Sequence, residues 1–364
     1  MATPDRHHVL GWDVGGAHVK ACLLRDGSVI DVAQWACPLW QGLEDLEQVL
    51  ASARARWAGF DEARHALTMT GEMTDLFEHR EDGVRRIAAA LARTLAPGPS
   101  DTLRFYAGDA GWCAAADAAA HWPQIASANW LATATHAARC MPEGVLIDIG
   151  STTTDLIAWR DGRVLGTSRS VADRLASGEL VYQGVVRTPL CALGPRIAWR
   201  GRELNVMNEF FATTADVYRL TGELDAAHDL HPSADNAPKD AAATRRRLAR
   251  MIGVDERDAS PDEWLAFARA WRERQVDELA GQLRRVERAH GLSPAAIGLG
   301  AGCGDFLVGA LLARAGAPSL RRRYAEHVAR IAPDARPGVE AATRWVQVCA
   351  PAVAVAALFD SEQR

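Results

Sequence analysis

The sequence predicts an α/β protein made of two copies of one unit, with a cleft between the copies. Three observations predict this. A short apolar strand ends in an aspartate, passes through a glycine turn into a second strand, and reaches a third through a DG hairpin, all within residues 8–36. The same order returns at 144–168, where Asp148 stands 135 positions after Asp13. A chain of 364 residues, 48% of them hydrophobic, is long enough for two sizeable cores.

In the first copy, residues 8–14 read as a buried strand, 17–24 as the second after Gly15–Gly16, and 28–36 as the third after Asp26–Gly27. Gln41 to Trp57 spaces Leu43, Leu46, Val49 and Leu50 as a helix does. His65–Met69 reads as a strand, Thr74–Leu95 as a long or broken helix, and Leu103–Ala107 as a strand. Asn129 is placed to cap a helix that runs to Cys140. The second copy opens with Gly144–Ile149, turns at Gly150 to Thr154, and continues with strands Leu156–Trp159 and Val164–Ser168 around Asp161–Gly162.

The later part is more helical. Thr213, Thr214 and Asp216 form an N-cap region, and His228 and His231 fall in a Pro/Asp-rich loop expected to be solvated. Asp240 caps a basic helix to about Ile252, and its run Arg245–Arg250 reads as a solvated face. Ser260, Pro261, Asp262 and Glu263 open a helix to Gly291, with Trp264, Phe267, Trp271, Leu279, Leu283 and Val286 as its core stripe. Ala295–Leu299 is strand-like and leads into "GLGAGCGDFLV", and Val339–Leu358 reads as one apolar helix. The expected division is 1–143 joined by 336–364, and 144–335 with a helical insertion.

Composition excludes several classes. A net charge of −5 gives no electrostatic footprint for nucleic acid or an anionic membrane. No run of about 18 uncharged apolar residues is available to span a membrane. The seven cysteines show no CxxC spacing, and "MATPDRHH" is not a secretory leader, so a reduced cytoplasm is expected. Lys20 and Lys239 are the only lysines, which makes a lysine beside a glycine turn conspicuous.

Glycine turns let backbone N–H groups approach anionic oxygens, and an aspartate at a strand end can hold Mg²⁺. The candidates are Asp13, Gly15, Gly16, His18 and Lys20 in the first cluster. The second offers Asp148, Gly150, Ser151, Thr152, Thr153 and Asp155, and the third Gly300, Ala301 and Gly302. Period two puts His18, Lys20 and Cys22 on one strand face. Glu72 in Thr70-Gly71-Glu72, and Asp109, follow strands and are either functional-edge carboxylates or plain turn residues.

The order and spacing of the three clusters resemble the actin/hexokinase/heat-shock ATPase superfamily. That resemblance implies two RNase-H-like domains closing on a phosphorylated ligand. "DIGSTTTDLIA" is similar to the hydantoinase/oxoprolinase branch. "GWDVGGAHVKA", "TMTGEMTDLF", "ASANWLATA", "LIDIGSTTTDLI" and "FFATTADVYRLTGEL" together resemble the tetrahydromethanopterin-linked one-carbon transfer pathway family, whose characterised activity is methanofuran synthase. The resemblance implies a transferase that joins 5-(aminomethyl)-3-furanmethanol diphosphate to the phenol oxygen of γ-glutamyltyramine, or of a tyrosine-like phenol, and releases pyrophosphate. Asp13 and Asp148 would then share Mg²⁺ binding and base duty, Lys20 would be a charge sink, and Asp155 and Glu72 would stand in reserve. ATP-using members carry Thr or Ser after the double glycine, where this chain has Ala17. The other readings are an ATP-dependent small-molecule kinase or ATPase, and a non-catalytic nucleotide-binding assembly protein; a nucleotide at the third cluster stays open.

Overall fold

The computed structural model describes residues 8–95, 102–166, 169–316 and 320–363. Residues 1–7, most of the "MATPDRHH" stretch, and residues 167–168 of the expected strand 164–168 lie outside the described residues. The chain divides into two compact units. The first comprises Met1–Glu143, Trp159–Val171 and Arg323–Arg364; the second comprises Gly144–Ala158 and Ala172–Arg322.

The first unit is built on strands β1 (His8–Val14), β2 (His18–Arg25) and β3 (Ser28–Ala36), helix α1 (Glu44–Arg56), β4 (Arg64–Met69) and α2 (Arg80–Leu95). β5 (Leu103–Tyr106), β6 (Trp112–Cys113), α3 (Trp122–Ile125) and α4 (Asn129–Cys140) follow. The sheet order is β3-β2-β1-β4-β5-β6, with β1 to β3 an antiparallel meander and β4 and β5 added in parallel beyond β1. This is the RNase-H-like arrangement. β1 is buried along nearly its whole length, as a strand covered on both faces must be. Leu10, Trp12 and Val14 pack into a core with Leu46 and Leu50 of α1 and Ile87 and Leu91 of α2. The helix expected from Thr74 begins only at Arg80; a 3₁₀ turn, Gly71–Met73, is followed by turns and bends over 74–79.

The second unit repeats the plan. β7 (Glu143–Ile149), β8 (Thr154–Arg160) and β9 (Arg163–Val164, which the division counts with the first unit) are followed by α5 (Val171–Ser177), β10 (Leu180–Val181) and a separate hairpin, β11 (Arg196–Trp199) with β12 (Arg202–Asn205). Then come α6 (Thr214–Thr221), α7 (Ala241–Arg250), α8 (Pro261–His290), β13 (Ile297–Ala301), α9 (Val308–Ala315) and β14 (Arg321–Arg323). The order is β10-β8-β7-β13-β14, with β9 also on β8, and β13 runs parallel to β7. Helix α8 starts as its sequence dictates. Ser260 and Glu263 form a reciprocal capping box, Pro261 sits in the first turn, and Gly291 ends the helix in the left-handed conformation.

The basic face expected of α7 is a correction. Arg247 is fully buried, with Nε 2.8 Å from Asp216 Oδ1 and Nη1 3.1 Å from Asp235 Oδ1. A guanidinium inside a core persists only with such partners. Arg245 and Arg250 are likewise paired, with Glu256 and Asp235. Asp216 also completes the capping box of α6 with Thr213.

The chain closes with α10 (Tyr324–His327), α11 (Val339–Val348) and α12 (Ala350–Glu362) in the first unit. The single apolar helix expected at 339–358 is in fact two, bent by 97°. Pro351 explains the break: it lacks an N–H and its ring collides with the carbonyl of the preceding turn. α12 packs on β1, β2, β4 and α4. A Cβ on Gly11 would lie 2.2 Å from the Ala352 carbonyl oxygen, so only glycine lets helix and strand approach this closely. Among the described residues no single helix is long and apolar enough to cross a membrane.

Candidate active site

In the first unit, Asp13 lies near the end of β1, and its register partners are Lys20 on β2 and Thr68 on β4. The turn after it is tight. The Gly15 N–H donates to the His18 carbonyl at 3.0 Å, and the Leu39 N–H donates to the Gly16 carbonyl at 3.0 Å. A Cβ on Gly15 would sit 2.8 Å from the His18 oxygen, and one on Gly16 would sit 2.7 Å from Thr74 Cγ2. Asp13 and His18 are buried, and Lys20 is half-buried. Cys22, on the same face, is sealed in the core, and burial pushes its thiol pKa well up, which makes it inert.

Glu72 stands beside this turn. A Cβ on Gly71 would be 3.2 Å from the Val14 oxygen and 3.3 Å from the Gly15 oxygen. Glu72 is almost wholly buried, and its Oε1 accepts a hydrogen bond from Ser127 Oγ at 2.6 Å. Arg80 approaches the same oxygen at 3.9 Å. Burial dominates and pushes the carboxyl pKa up to about 7, against the pull of Ser127 and Arg80. Ser127 itself sits at φ 53°, in the left-handed region, next to Ala126, which bridges to Met69 at the end of β4. Asp109 is mostly exposed and pairs with Arg169 at 3.0 Å.

In the second unit, Asp148 lies at the end of β7 opposite Ala301 of β13. Gly302, at φ 84°, passes so close that a Cβ would be 2.5 Å from Asp148 Oδ1 and 2.2 Å from the Ile149 oxygen. The Gly304 N–H donates to that Ile149 oxygen at 2.8 Å. The turn Gly150–Thr153 closes on itself through Gly150 N–H to the Thr153 carbonyl, at 2.8 Å. The backbone N–H groups of Val185, Val186 and Arg187 hold the Gly150 and Ser151 carbonyls. Gly184 is pressed on this turn, where a Cβ would be 2.5 Å from Thr152 N. Gly300 is similarly confined by Asp305, which pairs with Arg321 at 2.9 Å. So the second and third clusters, named separately from the sequence, share one packed nest of backbone.

Asp155 has a different task from the one the sequence suggested. It forms an ion pair with the buried Arg174 of α5, so its charge is engaged in holding that helix. The segment around Gly184, and the Ser127–Arg80 pair at Glu72, were missed by the sequence reading. The signal for Ser127 was present in "ASANWLATA", where Asn129 alone drew notice; for Gly184 it was a glycine in a polar stretch after a short strand. Among the described residues, no three His, Cys, Asp or Glu side chains gather as a metal cage. Mg²⁺ needs none, since it binds through one or two carboxylates together with substrate phosphates. The strand-end carboxylates of Asp13, which is buried, and of Asp148, which is half-buried, are each of that chemical kind.

A family model described as hydantoinase/oxoprolinase matches residues 64–330. The chain belongs to the hydantoinase/oxoprolinase family. This member of the hydantoinase/oxoprolinase family is similar to (4-{4-[2-(gamma-L-glutamylamino)ethyl]phenoxymethyl}furan-2-yl)methanamine synthase of Methanocaldococcus jannaschii. The two are 26% identical over 328 residues, covering 90% of this chain and 95% of that protein. The synthase of the same name from Methanococcus vannielii is 30% identical over 157 residues, covering 43% of this chain and 70% of that protein. Kinship with synthases supports an enzymatic, biosynthetic role. Among solved structures, nucleotide-free acetone carboxylase has a TM-score of 0.53 at 12% identity, covering 97% of this chain and 70% of that chain. That likeness shows the fold alone.

Proposed function

We propose that the chain is a transferase that forms an aryl ether. The phenol oxygen of γ-glutamyltyramine, or of a tyrosine-like phenol, takes the furanylmethyl group of 5-(aminomethyl)-3-furanmethanol diphosphate and releases pyrophosphate. The observation that carries this is the end-to-end similarity to a synthase whose named product contains a phenoxymethyl-furan link.

The site chemistry supports the reading. The furan ring delocalises positive charge on the methylene carbon, so the demanding part of the reaction is accommodating the departing pyrophosphate. Lys20, opposite Asp13 on the neighbouring strand, is a cation of the kind that offsets developing negative charge. Mg²⁺ bound at Asp13 of the first unit, or at Asp148 of the second, would supply further charge to the leaving group. Ala17, buried at the position where ATP-using relatives of the fold carry a hydroxyl, argues against a kinase.

The test is to incubate the protein with both substrates and Mg²⁺, then to quantify pyrophosphate, the ether product by mass, and ADP when ATP is added. Equimolar pyrophosphate and ether support the reading. ADP formed with a phosphorylated small acceptor, and no ether, establishes the kinase reading in its place.

A further inference from the structure

A cavity of about 380 Å³ lies within the first unit, lined by Trp122, Trp130, Leu131, Arg80, Arg169 and Ser127 among others. That volume falls in the ~300–1,000 Å³ range of small-ligand pockets. Its walls are largely apolar side chains, with a cation over each indole. Arg80 Cζ is 6.0 Å from the Trp122 ring centre, and Arg169 Cζ is 5.8 Å from that of Trp130. Arg80 Nε is buried and has no hydrogen-bond acceptor among the described residues, so a donor there awaits an oxygen. Such a cavity suits a flat ring bearing an anionic tail.

Ser127 adds the polar selectivity. Its single hydroxyl hydrogen is committed to Glu72, so toward a ligand it presents lone pairs only. It therefore reads a donor, an O–H. Through Glu72 and Gly71, this serine is linked to the Asp13–Gly16 turn in the same unit.

We propose that this cavity binds the acceptor's phenol ring, with Ser127 accepting the hydrogen bond of the phenolic O–H and Glu72 behind it as the positioning residue. The proposal rests on the transferase reading above. As the phenol oxygen bonds to the furanylmethyl carbon, its proton passes to Ser127 Oγ, and the serine proton passes to Glu72 Oε1. The carbon–oxygen bond to the diphosphate breaks, and its electron pair leaves on pyrophosphate. A Glu72 carboxyl whose pKa is near neutrality can take that proton.

Two variants test this, each with a melting curve. Trp122→Ala is expected to raise the KM for the phenol between about twofold and about tenfold, the worth of one aromatic wall, with the KM for the diphosphate ester as the control. Ser127→Ala is expected to lower kcat on the order of 100-fold with a weakly acidic phenol, and much less with a nitrophenol that ionises unaided. An unchanged phenol KM in the first variant, or a kcat loss independent of phenol acidity in the second, overturns the assignment while the transferase reading stands. If the wild type releases no pyrophosphate with any phenol, that reading fails by itself. Calorimetric binding of γ-glutamyltyramine then decides the cavity: binding weakened by Trp122→Ala retains it as an aromatic site, and absent or unaltered binding overturns it.

Discussion

Asp13 and Lys20 stand directly opposite each other across the β1–β2 hairpin. Directly paired residues share a sheet face with Cβ atoms roughly 5 Å apart, and an opposite-charge pair there is worth at most about 1 kcal/mol to the fold. That is too little to explain a buried carboxylate beside one of only two lysines in the chain. On the proposed function, the pair is one anionic and one cationic group at a glycine turn that would meet a metal diphosphate. Asp13→Asn keeps the shape and removes the charge. It should leave the melting temperature nearly unchanged, weaken the Mg²⁺ dependence, and lower kcat on the order of 10²–10³. Wild-type turnover in that variant reduces Asp13 to a turn residue.

Asp148→Asn should resemble Asp13→Asn. The double variant should be no worse than about the stronger single, because groups serving one step lose their effect together. Turnover measured against Mg²⁺ concentration for all three variants checks this. Strictly multiplicative losses would separate the two aspartates into independent tasks.

Gly302→Ala probes the packed backbone at Asp148. The new methyl must occupy space 2.5 Å from Asp148 Oδ1, at a φ of 84° that favours glycine. Overpacking of this kind destabilises by about 1–3 kcal/mol, and displacing the carboxylate should reduce activity further. Urea denaturation and kcat/KM together report both effects. An alanine variant with native stability and activity would show that Asp148 needs no such fixed position.

Arg247→Met leaves Asp216 in the core with Arg219 as its one remaining charged partner among the described residues. Breaking a buried pair typically costs about 3–5 kcal/mol, and replacing both members with apolar residues of similar volume is often close to neutral. The retained Arg219 contact should keep the single-variant loss toward the lower end. Urea midpoints for Arg247→Met, with and without Asp216→Leu, should show partial recovery in the double variant. A further loss there would mean that Asp216 acts mainly as the cap of α6.

These contacts mark what a sequence can carry. Strand alternation shows that His18, Lys20 and Cys22 share a face, and the repeated strand–Asp–turn points to Asp148, because both signals are local. The capping box at Ser260 is local too; the break at Pro351 is equally local, in proline's missing N–H, but reading 339–358 as one helix passes over it. The partners of Arg247 and Glu72 are not local. Asp216 is 31 positions from Arg247, and Ser127 is 55 from Glu72. A helical wheel shows Arg247 as one more surface cation, since only the fold reveals the carboxylates that let it be buried. Gly184 is illegible for the same reason: its need for glycine arises from the Gly150–Thr152 backbone pressed against it.

Glu72 gives a pH signature of its own. Its carboxyl pKa is raised from 4.5 unfolded to about 7 folded, so between these values the native state holds more protons than the unfolded state. Its contribution to stability is therefore fully present below about pH 4.5 and is lost as pH rises through 7. The loss amounts to roughly 3 kcal/mol. Urea midpoints for Glu72→Gln between pH 5 and pH 8 should lack the fall that this group gives the wild type. Parallel pH dependences in the two proteins would contradict the raised pKa.

The most direct measurement uses 5-(aminomethyl)-3-furanmethanol diphosphate labelled with ¹⁸O at the oxygen joining carbon to phosphorus. Attack of the phenol on carbon breaks that carbon–oxygen bond, so the account predicts all of the label in released pyrophosphate and none in the aryl ether. Label retained in free furanmethanol, with phosphate passed to water or to another acceptor, would mean cleavage at phosphorus and would contradict the transferase assignment.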